Sequence, residues 1–305
     1  MPVTLSCATR SALAAAGLDP AAVEALAGAA LDEDLAGGVD ATSVATVPFD
    51  LEATARIVAR APGVVAGLPV AAAVLEVATD GDVRIGLVAA DGDRVEPGSV
   101  VLTASGLARG LLTAERTTLN LLCHLSGVAT LTRRWVEAVS GTAARIRDTR
   151  KTLPGLRAMQ KYAVRCGGGY NHRMSLSDAA LVKDNHVVAA GGVAAAFAAV
   201  RATFPDLAVE VECDTVEQVR AAVGAGADLI LCDNMGPDEL RASVALARPA
   251  GVRLEASGGL TLPQARAVAD TGVDYLAVGA LTHSAPALDL GLDLDPGLDL
   301  DLGAS

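Results

Sequence analysis

The charged side chains that could bind a substrate are concentrated in one short segment. Residues 145–183 hold nine lysines and arginines against two aspartates, a net charge of +7, and all three lysines of the chain lie there. The whole chain carries −12, so the other 266 residues carry −19. The segment is therefore either a solvated basic face or a cationic pocket for a small polyanion, in a protein whose remaining surface repels one.

Four of these cations, with an adjacent histidine, are candidates for direct contact with an anion. Arginine offers a planar fork to a carboxylate, and lysine a compact positive charge. Pairing with structural acids is the alternative, but the segment holds only two, although Glu212 and Asp233 could pair with some of the cations. The candidates are Arg150, Lys151, His172, Arg173 and Lys183.

Carboxylates and glycines further along the chain are suited to a phosphosugar. Glu210 and Glu212 lie two apart on a predicted strand and share a face, and Asp233 ends the next strand. Such carboxylates can hold Mg²⁺, directly or through water, or stabilise positive charge on a sugar carbon; they can also pair with the cations opposite. Ser257-Gly258-Gly259 and Val278-Gly279-Ala280 resemble loops whose backbone N–H groups cradle a phosphate.

The second half of the chain repeats a strand and a helix, an arrangement that can bring these residues together. Strands are predicted to start at residues 207, 228, 252 and 275, a spacing of 21 to 24 residues, which is one βα unit. Right-handed crossovers make such strands parallel, as in a doubly wound sheet or an α/β barrel. The sequence has no G-x-G-x-x-G after the first strand, which disfavours a dinucleotide-binding sheet. Charged or glycine residues at five or six strand ends favour the barrel.

The first half of the chain predicts a smaller α+β domain. Asp19-Pro20 is a typical helix start, and that helix is expected to end near Gly37-Gly38. Short apolar runs separated by Pro-Gly and Asp-Gly turns predict strands. A long helix follows, with Gly127 as its expected break. The predicted helices are 20–35, 69–78 and 107–139, and the short strands are 55–59, 83–88 and 100–102.

Composition excludes several other classes of protein. Hydrophobic residues make up 51% of the chain, which is enough for a core and argues against disorder. The longest apolar run, Val187–Val200, is too short to span a membrane, and no signal peptide is expected. The net negative charge and only seven aromatic residues disfavour nucleic acid as a partner. Five scattered cysteines predict a reducing, cytoplasmic location.

The motifs that contain these residues resemble one family, the quinolinate phosphoribosyltransferases, also called nicotinate-nucleotide pyrophosphorylases (carboxylating). The resemblance covers most of the chain, and its longest and most specific block is 148–186. Near the N-terminus, Asp32-Glu-Asp-Leu35 and the pair Thr42-Ser43 resemble the N-terminal signature of this family. The other motifs are Glu115-Arg-Thr-Thr-Leu-Asn-Leu-Leu122 with Ser126-Gly127, Asp148-Thr-Arg-Lys-Thr-Leu-Pro-Gly-Leu-Arg157, Lys161, Gly167-Gly-Gly-Tyr-Asn-His-Arg173, Leu181-Val-Lys-Asp-Asn-His186, Val211-Glu-Cys213, Asp233-Asn-Met235, Glu255-Ala-Ser-Gly-Gly259 and Val278-Gly-Ala-Leu-Thr-His283.

The resemblance implies an activity, a cofactor and a fold. Members of the family are expected to convert quinolinate and phosphoribosyl pyrophosphate into nicotinate mononucleotide, pyrophosphate and CO₂, with Mg²⁺ and no organic cofactor, in de novo NAD synthesis. The implied fold is α/β: an N-terminal α/β sandwich plus an open, incomplete α/β barrel of the type II phosphoribosyltransferase kind. The implied assembly is a homodimer, with no nucleic-acid or membrane partner.

The resemblance also implies roles for individual residues. Lys151, Glu212 and Asp233 match catalytic positions, and the two carboxylates also match metal positions, directly or through water. Arg116 matches an arginine that the neighbouring subunit donates to the site. The remaining substrate-binding matches are Thr149, Arg150, His172, Arg173 and Lys183 for the acidic substrate, and Ser257, Gly258, Gly259, Val278, Gly279 and Ala280 for phosphate.

Domain boundaries and two alternative functions complete the predictions. Residues 1–115 are predicted as the sandwich domain, 116–283 as the catalytic barrel and 295–305 as a disordered acidic tail, while residues near 284–294 could pack back on the first domain. One alternative is a paralogous phosphoribosyltransferase with a different acceptor, of the molybdate-transport-associated pyrophosphorylase type. The other is a catalytically silent phosphosugar-binding protein, for which loss of Glu212, Asp233 or the Lys183 region would be expected.

Overall fold

A computed structural model describes residues 5–295 and divides them into two units. The first unit comprises residues 5–130, 158–167 and 285–295 of the described chain, and the second comprises 131–157 and 168–284. The boundary predicted at residue 115 lies inside a single long helix, so the first unit extends further along the chain than expected.

The first unit is built on a four-stranded antiparallel sheet in the order β12 (Leu290–Asp295), β1 (Glu52–Ala59), β5 (Val100–Leu107) and β3 (Val83–Leu87). Its core consists of small and branched aliphatic side chains from β1, β5, helix α4 and the first part of helix α5. Its elements are α1 (Cys7–Ala15), α2 (Pro20–Leu35), α3 (Ala41–Thr46), β1 (Glu52–Ala59), β2 (Gly63–Val64), α4 (Leu68–Ala78), β3 (Val83–Leu87), β4 (Arg94–Val95), β5 (Val100–Leu107), α5 (Ala108–Ala138, which continues into the second unit), α6 (Arg157–Cys166) and β12 (Leu290–Asp295).

Helix α2 forms where the sequence predicts it. Asp19 is the N-cap, and its side chain accepts a hydrogen bond from the backbone N–H of Ala21 at 3.0 Å, while Pro20 occupies the first helical position. The helix ends at Leu35, as predicted, and Ala36 adopts the left-handed conformation that terminates it.

The predicted break at Gly127 is wrong, because α5 is one continuous helix of 31 residues. Gly127 has a different purpose, which is to let another backbone segment approach the helix. A Cβ atom at this position would lie 2.1 Å from the carbonyl oxygen of Pro286 and 2.9 Å from Cα of Ala287. The segment that precedes β12 can therefore pass against the helix only where the side chain is a hydrogen atom.

The ordered structure at the C-terminus extends further than predicted, into the segment expected to be an acidic tail. Asp295, expected as the first residue of a tail, belongs to β12 and is paired with Thr54 of β1. Its carboxylate also lies 3.3 Å from the guanidinium of Arg56. Residues 296–305, which the tail prediction also includes, lie outside the described residues.

The second unit contains six parallel strands, in the order β6 (Arg145–Arg147), β11 (Tyr275–Ala277), β10 (Arg253–Ser257), β9 (Leu229–Asp233), β8 (Val209–Cys213) and β7 (Ala180–Val182). Strands β6 and β7 therefore form the two edges of an open barrel. The predicted fold class is thereby confirmed. The elements are β6 (Arg145–Arg147), β7 (Ala180–Val182), α7 (Asp184–Ala190), α8 (Val193–Thr203), β8 (Val209–Cys213), α9 (Val216–Gly224), β9 (Leu229–Asp233), α10 (Pro237–Ala247), β10 (Arg253–Ser257), α11 (Ala265–Ala269), β11 (Tyr275–Ala277) and α12 (Ala280–His283), with two short 3-10 helices, Arg248–Ala250 and Leu262–Gln264.

The apolar stretch that the sequence left unassigned forms α7 and α8. The two helices are separated at Gly191-Gly192 and bent by 89°. No single helix within residues 5–295 is both long and apolar enough to cross a membrane, although this bent pair and the pair α1–α2 reach that length and composition together.

Candidate active site

The carboxyl ends of the parallel strands hold the candidate site. The register places Glu212 of β8, Leu231 of β9 and Glu255 of β10 in one layer of side chains, and Asp233 and Ser257 in the next layer, at the rim. The rim encloses a cavity of about 380 Å³, a size typical of small-molecule sites. Its lining residues are Thr149, Arg150, Lys151, His172, Arg173, Leu181, Lys183, Glu212, Leu231, Asp233, Glu255, Ser257 and Ala277.

The structure brings together all the predicted site residues of the second unit. Nine of them line the first cavity. The predicted phosphate loops line a second cavity of about 290 Å³, which shares Thr149, Lys151, Ser257 and Ala277 with the first. The residues found only in the second cavity are Gly258, Gly259, Leu260, Val278, Gly279, Ala280 and His283. Arg116 is an exposed residue of α5 in the first unit, and its contribution to a neighbouring subunit's site stays a prediction.

Most of the cations at the first cavity are not neutralised by the protein. Lys183 is the exception, because its Nζ lies 2.7 Å from Oε2 of Glu212. Arg173 donates to the carbonyl oxygen of Ala179 at 2.8 Å, and neither Arg150 nor Lys151 pairs with a carboxylate within residues 5–295. The Nε atoms of Arg150 and Arg173 are buried and have no hydrogen-bond partner in the described chain. Internal ion pairing therefore explains one cation of the four.

Repulsion between the two arginines affects the electrostatics of the cavity. The pKa of Arg173 is lowered, first by burial of its guanidinium and then by the positive charge of Arg150. Both effects disfavour the charged form in the empty cavity. An anion bound between the two guanidinium groups would reverse the second effect, so the arrangement favours an anionic ligand.

Asp148, a residue without a predicted role, orders the loop that carries two of the candidates. The carboxylate is fully buried and accepts hydrogen bonds from the side-chain amide of Asn171 and from the backbone N–H of His172, the latter at 2.8 Å. Tyr170 pairs with the edge strand β6, and its N–H donates to the carbonyl of Ile146. The loop is therefore held against the edge of the barrel, and this positions His172 and Arg173, which come directly after Tyr170 and Asn171 in the chain.

Both ring nitrogens of His172 contact the protein. The backbone N–H of Arg173 donates to Nδ1 at 2.8 Å, so the ring proton must sit on Nε2, where it donates to Oε2 of Glu210 at 2.7 Å. The prediction grouped His172 with the substrate-binding cations. In this arrangement the ring has no nitrogen left for a substrate, so any direct contact would use its C–H edge.

Below the rim lies a buried carboxyl group that sequence reasoning did not select. Glu255 is 0% exposed, and its Oε2 accepts a hydrogen bond from Arg147, whose guanidinium also stacks over the ring of Tyr275. Burial raises the pKa of Glu255 to about 7, assisted by the negative charge of Glu210. The signal in the sequence was that Glu255 lies two residues before Ser257, as Glu210 lies two before Glu212, which places both on the inward face.

A strained turn fixes the rim between β9 and β10. Asn234 has a positive φ of 55°, its N–H donates to the carbonyl of Ser257 at 2.9 Å, and its side-chain amide donates to Asp233 at 2.7 Å. Gly258 makes this possible, because a Cβ there would lie 2.3 Å from Oδ1 of Asn234. The predicted phosphate-loop glycine thus also holds a predicted catalytic carboxylate in place.

Lys151 is held between two threonines. The hydroxyl oxygen of Thr149 accepts from the N–H of Lys151 at 3.0 Å, and the hydroxyl of Thr282 donates to its carbonyl at 2.8 Å. A Cβ on Gly279 would lie 3.0 Å from Cδ of Lys151, so this glycine leaves room for the lysine side chain. The first strand end and the last are therefore joined at one point of the rim.

Two carboxylates that line the cavity fit a magnesium ion. Glu212 and Asp233 each present oxygen atoms to the cavity, and oxygen is the donor that Mg²⁺ prefers. Mg²⁺ retains several waters and binds through one or two carboxylates together with substrate phosphates. The donor set of these two residues, beside glycine loops suited to phosphate, matches that requirement.

Comparisons with known proteins point to one family. Two family models match the chain: "Quinolinate phosphoribosyl transferase, N-terminal domain" at residues 40–126 and the corresponding "C-terminal domain" at residues 128–293. The nicotinate-nucleotide pyrophosphorylase [carboxylating] of Mycobacterium leprae is 55% identical over 269 residues, covering 87% of this chain and 94% of that protein. The crystal structure of NadC from Streptococcus pyogenes is similar at a TM-score of 0.86 and 39% identity, over 91% of this chain and 98% of that one. The nicotinate-nucleotide pyrophosphorylase of Francisella tularensis is similar at a TM-score of 0.85 and 37% identity, over 90% and 96%.

The buried carboxyl group generates a prediction about stability. In the unfolded chain Glu255 loses its proton near pH 4.5, whereas in the folded chain it does so near pH 7. The stability that the protonated form contributes is thus complete below pH 4.5 and is lost as the pH rises to 7. Relative to Glu255→Gln, which does not titrate, the wild type should lose on the order of 3 kcal/mol of unfolding free energy over this interval.

Urea unfolding of both proteins at several pH values from 4.5 to 8 checks this expectation. Glu217→Gln, on the exposed surface of α9, controls for the loss of one carboxylate. Wild-type and Glu255→Gln curves that remain parallel over the whole range would show that Glu255 ionises normally in the folded protein.

Proposed function

Because this chain belongs to the quinolinate phosphoribosyltransferase family, we propose that it transfers the phosphoribosyl group of phosphoribosyl pyrophosphate to quinolinate in NAD biosynthesis, with release of pyrophosphate and CO₂. The observation that carries the proposal is a single cavity lined by four cations, which shares lining residues with a glycine-lined cavity. Quinolinate is a pyridine with two adjacent carboxylates, and the second substrate carries phosphate and pyrophosphate. The two cavities match those two kinds of anion.

The cations bind and orient the pyridine. Arg150 and Arg173 offer guanidinium groups to the two carboxylates, and the unpartnered Nε atoms of both become hydrogen-bonded when an oxygen arrives. Lys183 can move its ammonium group from Glu212 to the substrate, because half of its side chain is exposed. His172 acts as a positioning residue, fixing the backbone of Arg173 through Nδ1.

The carboxylates and Lys151 serve the transfer step. The ring nitrogen attacks the anomeric carbon as pyrophosphate leaves, and positive charge develops on the sugar. Glu212 and Asp233 line the cavity, where they stabilise that charge, and Lys151 balances the negative charge of the leaving pyrophosphate. Backbone N–H groups of Ser257–Gly259 and Val278–Ala280 hold the phosphate of the sugar. When bound by Glu212 and Asp233, Mg²⁺ supplies charge neutralisation at the pyrophosphate.

Decarboxylation follows without an organic cofactor. The transfer leaves the ring nitrogen positively charged, and the adjacent ring carbon can then accept the electron pair of the breaking carbon–carboxylate bond. The pyridinium itself serves as the electron sink, so no organic cofactor is needed, and the ring carbon that has lost CO₂ takes up one proton.

We also propose the assembly and the location that the sequence predicted. A homodimer in which Arg116 completes the neighbouring site is supported by the exposure of that side chain on α5. A cytoplasmic location is supported by the cysteines: all five lie within the described chain and each thiol is free.

Release of labelled CO₂ from carboxyl-labelled quinolinate tests the proposed function. We expect release that requires phosphoribosyl pyrophosphate and Mg²⁺ and that yields nicotinate mononucleotide and pyrophosphate in equal amounts. A paralogue with another acceptor would release no CO₂, and a silent phosphosugar-binding protein would release no pyrophosphate either. Either of those results would contradict the proposal.

Hybrid dimers test the shared site. Arg116→Ala and Lys183→Ala should each abolish turnover alone, but a mixed dimer of the two contains one intact site, since Lys183 then comes from one subunit and Arg116 from the other. Random mixing gives half mixed dimers, so about one quarter of wild-type activity should return.

The control mixes Arg150→Ala with Lys183→Ala, both of which act within their own subunit's cavity. This mixture should recover nothing, because each site of the mixed dimer retains one lesion. Equal recovery in both mixtures, or none in the first after exchange of subunits has been demonstrated, would rule out the contribution of Arg116 across the interface.

A further inference from the structure

The barrel interior contains a polar cluster that the proposed mechanism leaves unused. His172, Glu210 and Glu255 are all buried, and one ligand atom from each lies within 4.8 Å of the other two. Among the residues described, no other group of three His, Cys, Asp or Glu side chains meets that criterion. Glu255 also borders the first cavity, one layer below the rim residues Asp233 and Ser257. The cluster therefore reaches the place where a bound pyridine would lie.

Two carboxylate oxygens of this cluster lack hydrogen-bond partners. Oε1 of Glu210 and Oε1 of Glu255 are both buried, and neither has a partner within residues 5–295. Nε2 of His172 lies 3.6 Å from Oε1 of Glu255, which is beyond hydrogen-bond distance. Two buried anions this close repel each other, whereas a proton on Glu255 removes one charge and gives the group a hydrogen to donate.

The chemistry of the cluster favours a proton over a metal ion. Arg147 already contacts Oε2 of Glu255, and a guanidinium at that oxygen repels a second cation. Nδ1 of His172 accepts from the backbone, so Nε2 carries the hydrogen and has no lone pair to offer. The donor set of this cluster therefore suits a proton on Glu255 better than a metal ion.

We propose that Glu255 is the acid that protonates the ring carbon from which CO₂ leaves. This inference rests on the proposed function. As the bond between ring carbon and carboxylate breaks, its electron pair stays on the carbon and CO₂ departs. That carbon then forms a C–H bond with the proton of Glu255, whose carboxylate is left beside Arg147 and is reprotonated from solvent. One proton is consumed for each CO₂ released.

The surroundings of Glu255 suit this role better than those of the other donors. The ammonium groups of Lys151 and Lys183 are needed as positive charges, and they lose that charge when they give up a proton. Glu255 instead becomes an anion that an existing guanidinium stabilises, and although it is buried it borders the cavity, through which a proton can return once the product has left. Its pKa near 7 makes both forms accessible at neutral pH.

The groups that set the protonation of Glu255 come from every element around it. Arg147 on β6 lowers its pKa, while burial and Glu210 on β8 raise it, and His172 on the loop before β7 faces it with Nε2 at 3.6 Å. The adjacent strands β9 and β11 present Leu231 and Tyr275 in register with it. Removing the charge of Glu210 should therefore lower the pKa of Glu255.

Glu255→Gln tests the proposal by separating the two chemical steps. The amide preserves the size of the side chain and can still accept from Arg147, but it has no acidic proton. In a single turnover we expect pyrophosphate release within about threefold of wild type, CO₂ release slowed about 100-fold or more, and accumulation of the undecarboxylated mononucleotide. KM values for both substrates should stay within about threefold, and a near-UV circular dichroism spectrum like that of the wild type checks the fold.

The pH profile supplies a readout that a purely structural role would not move. CO₂ release by the wild type should fall as the pH rises through 7, where Glu255 loses its proton, and this decline should be absent in Glu255→Gln. In Glu210→Gln the decline should shift to lower pH, since the negative neighbour is gone.

The outcomes separate this inference from the function on which it rests. A wild type that releases no CO₂ from quinolinate contradicts the proposed function itself. An active wild type whose Glu255→Gln variant releases CO₂ at the same rate, or loses pyrophosphate and CO₂ release in equal proportion, overturns the role of Glu255 alone. An unshifted decline in Glu210→Gln also counts against it.

Discussion

The organisation of this protein depends on unbalanced positive charge at the carboxyl ends of its parallel strands. A parallel sheet brings its strand ends to one rim, and here two ends and the loop between them deliver Arg150, Lys151, Arg173 and Lys183 to one cavity. Of these four cations, only Lys183 is paired with a carboxylate of the described chain. The folded protein holds mutually repelling groups together at a cost in free energy, and binding of an anionic ligand lowers that cost. Binding is therefore favoured by the same crowding that the fold imposes.

The rim is rigid because backbone hydrogen bonds, and not only side-chain packing, hold its charged groups. Asp148 orders the loop of His172, Asn234 ties β9 to β10, and Thr282 holds the carbonyl of Lys151. Each bond joins segments that are distant in sequence. The proposed chemistry needs groups fixed before the substrate arrives, because reorganisation during the reaction would raise its barrier.

Sequence patterns predicted the parts of the fold that depend on local signals. The spacing of apolar runs placed β8 to β11, and the Asp19 cap placed the start of α2, because both patterns act within a few residues. Gly127 was misjudged because its neighbour Pro286 lies 159 residues away in the sequence, and only the folded chain shows why the helix needs a glycine there. Glu255 was overlooked because its surroundings depend on which side chains meet inside the barrel. Motif resemblance supplied the substrate, which periodicity and charge alone left at the level of an acidic molecule and a phosphosugar.

Calorimetric titration with quinolinate and with nicotinate, a pyridine with one carboxylate, tests the central claim most directly. If the crowded cations exist to capture a doubly charged pyridine, quinolinate should bind at least about tenfold more tightly than nicotinate, and Arg150→Ala should remove most of that difference in affinity. The control variant, Arg145→Ala, makes an equal change of charge at an exposed position of the same basic segment and should leave the difference in place. Equal affinity for the two pyridines, or equal effects of the two substitutions, would contradict the account, because the segment would then act as a general basic surface.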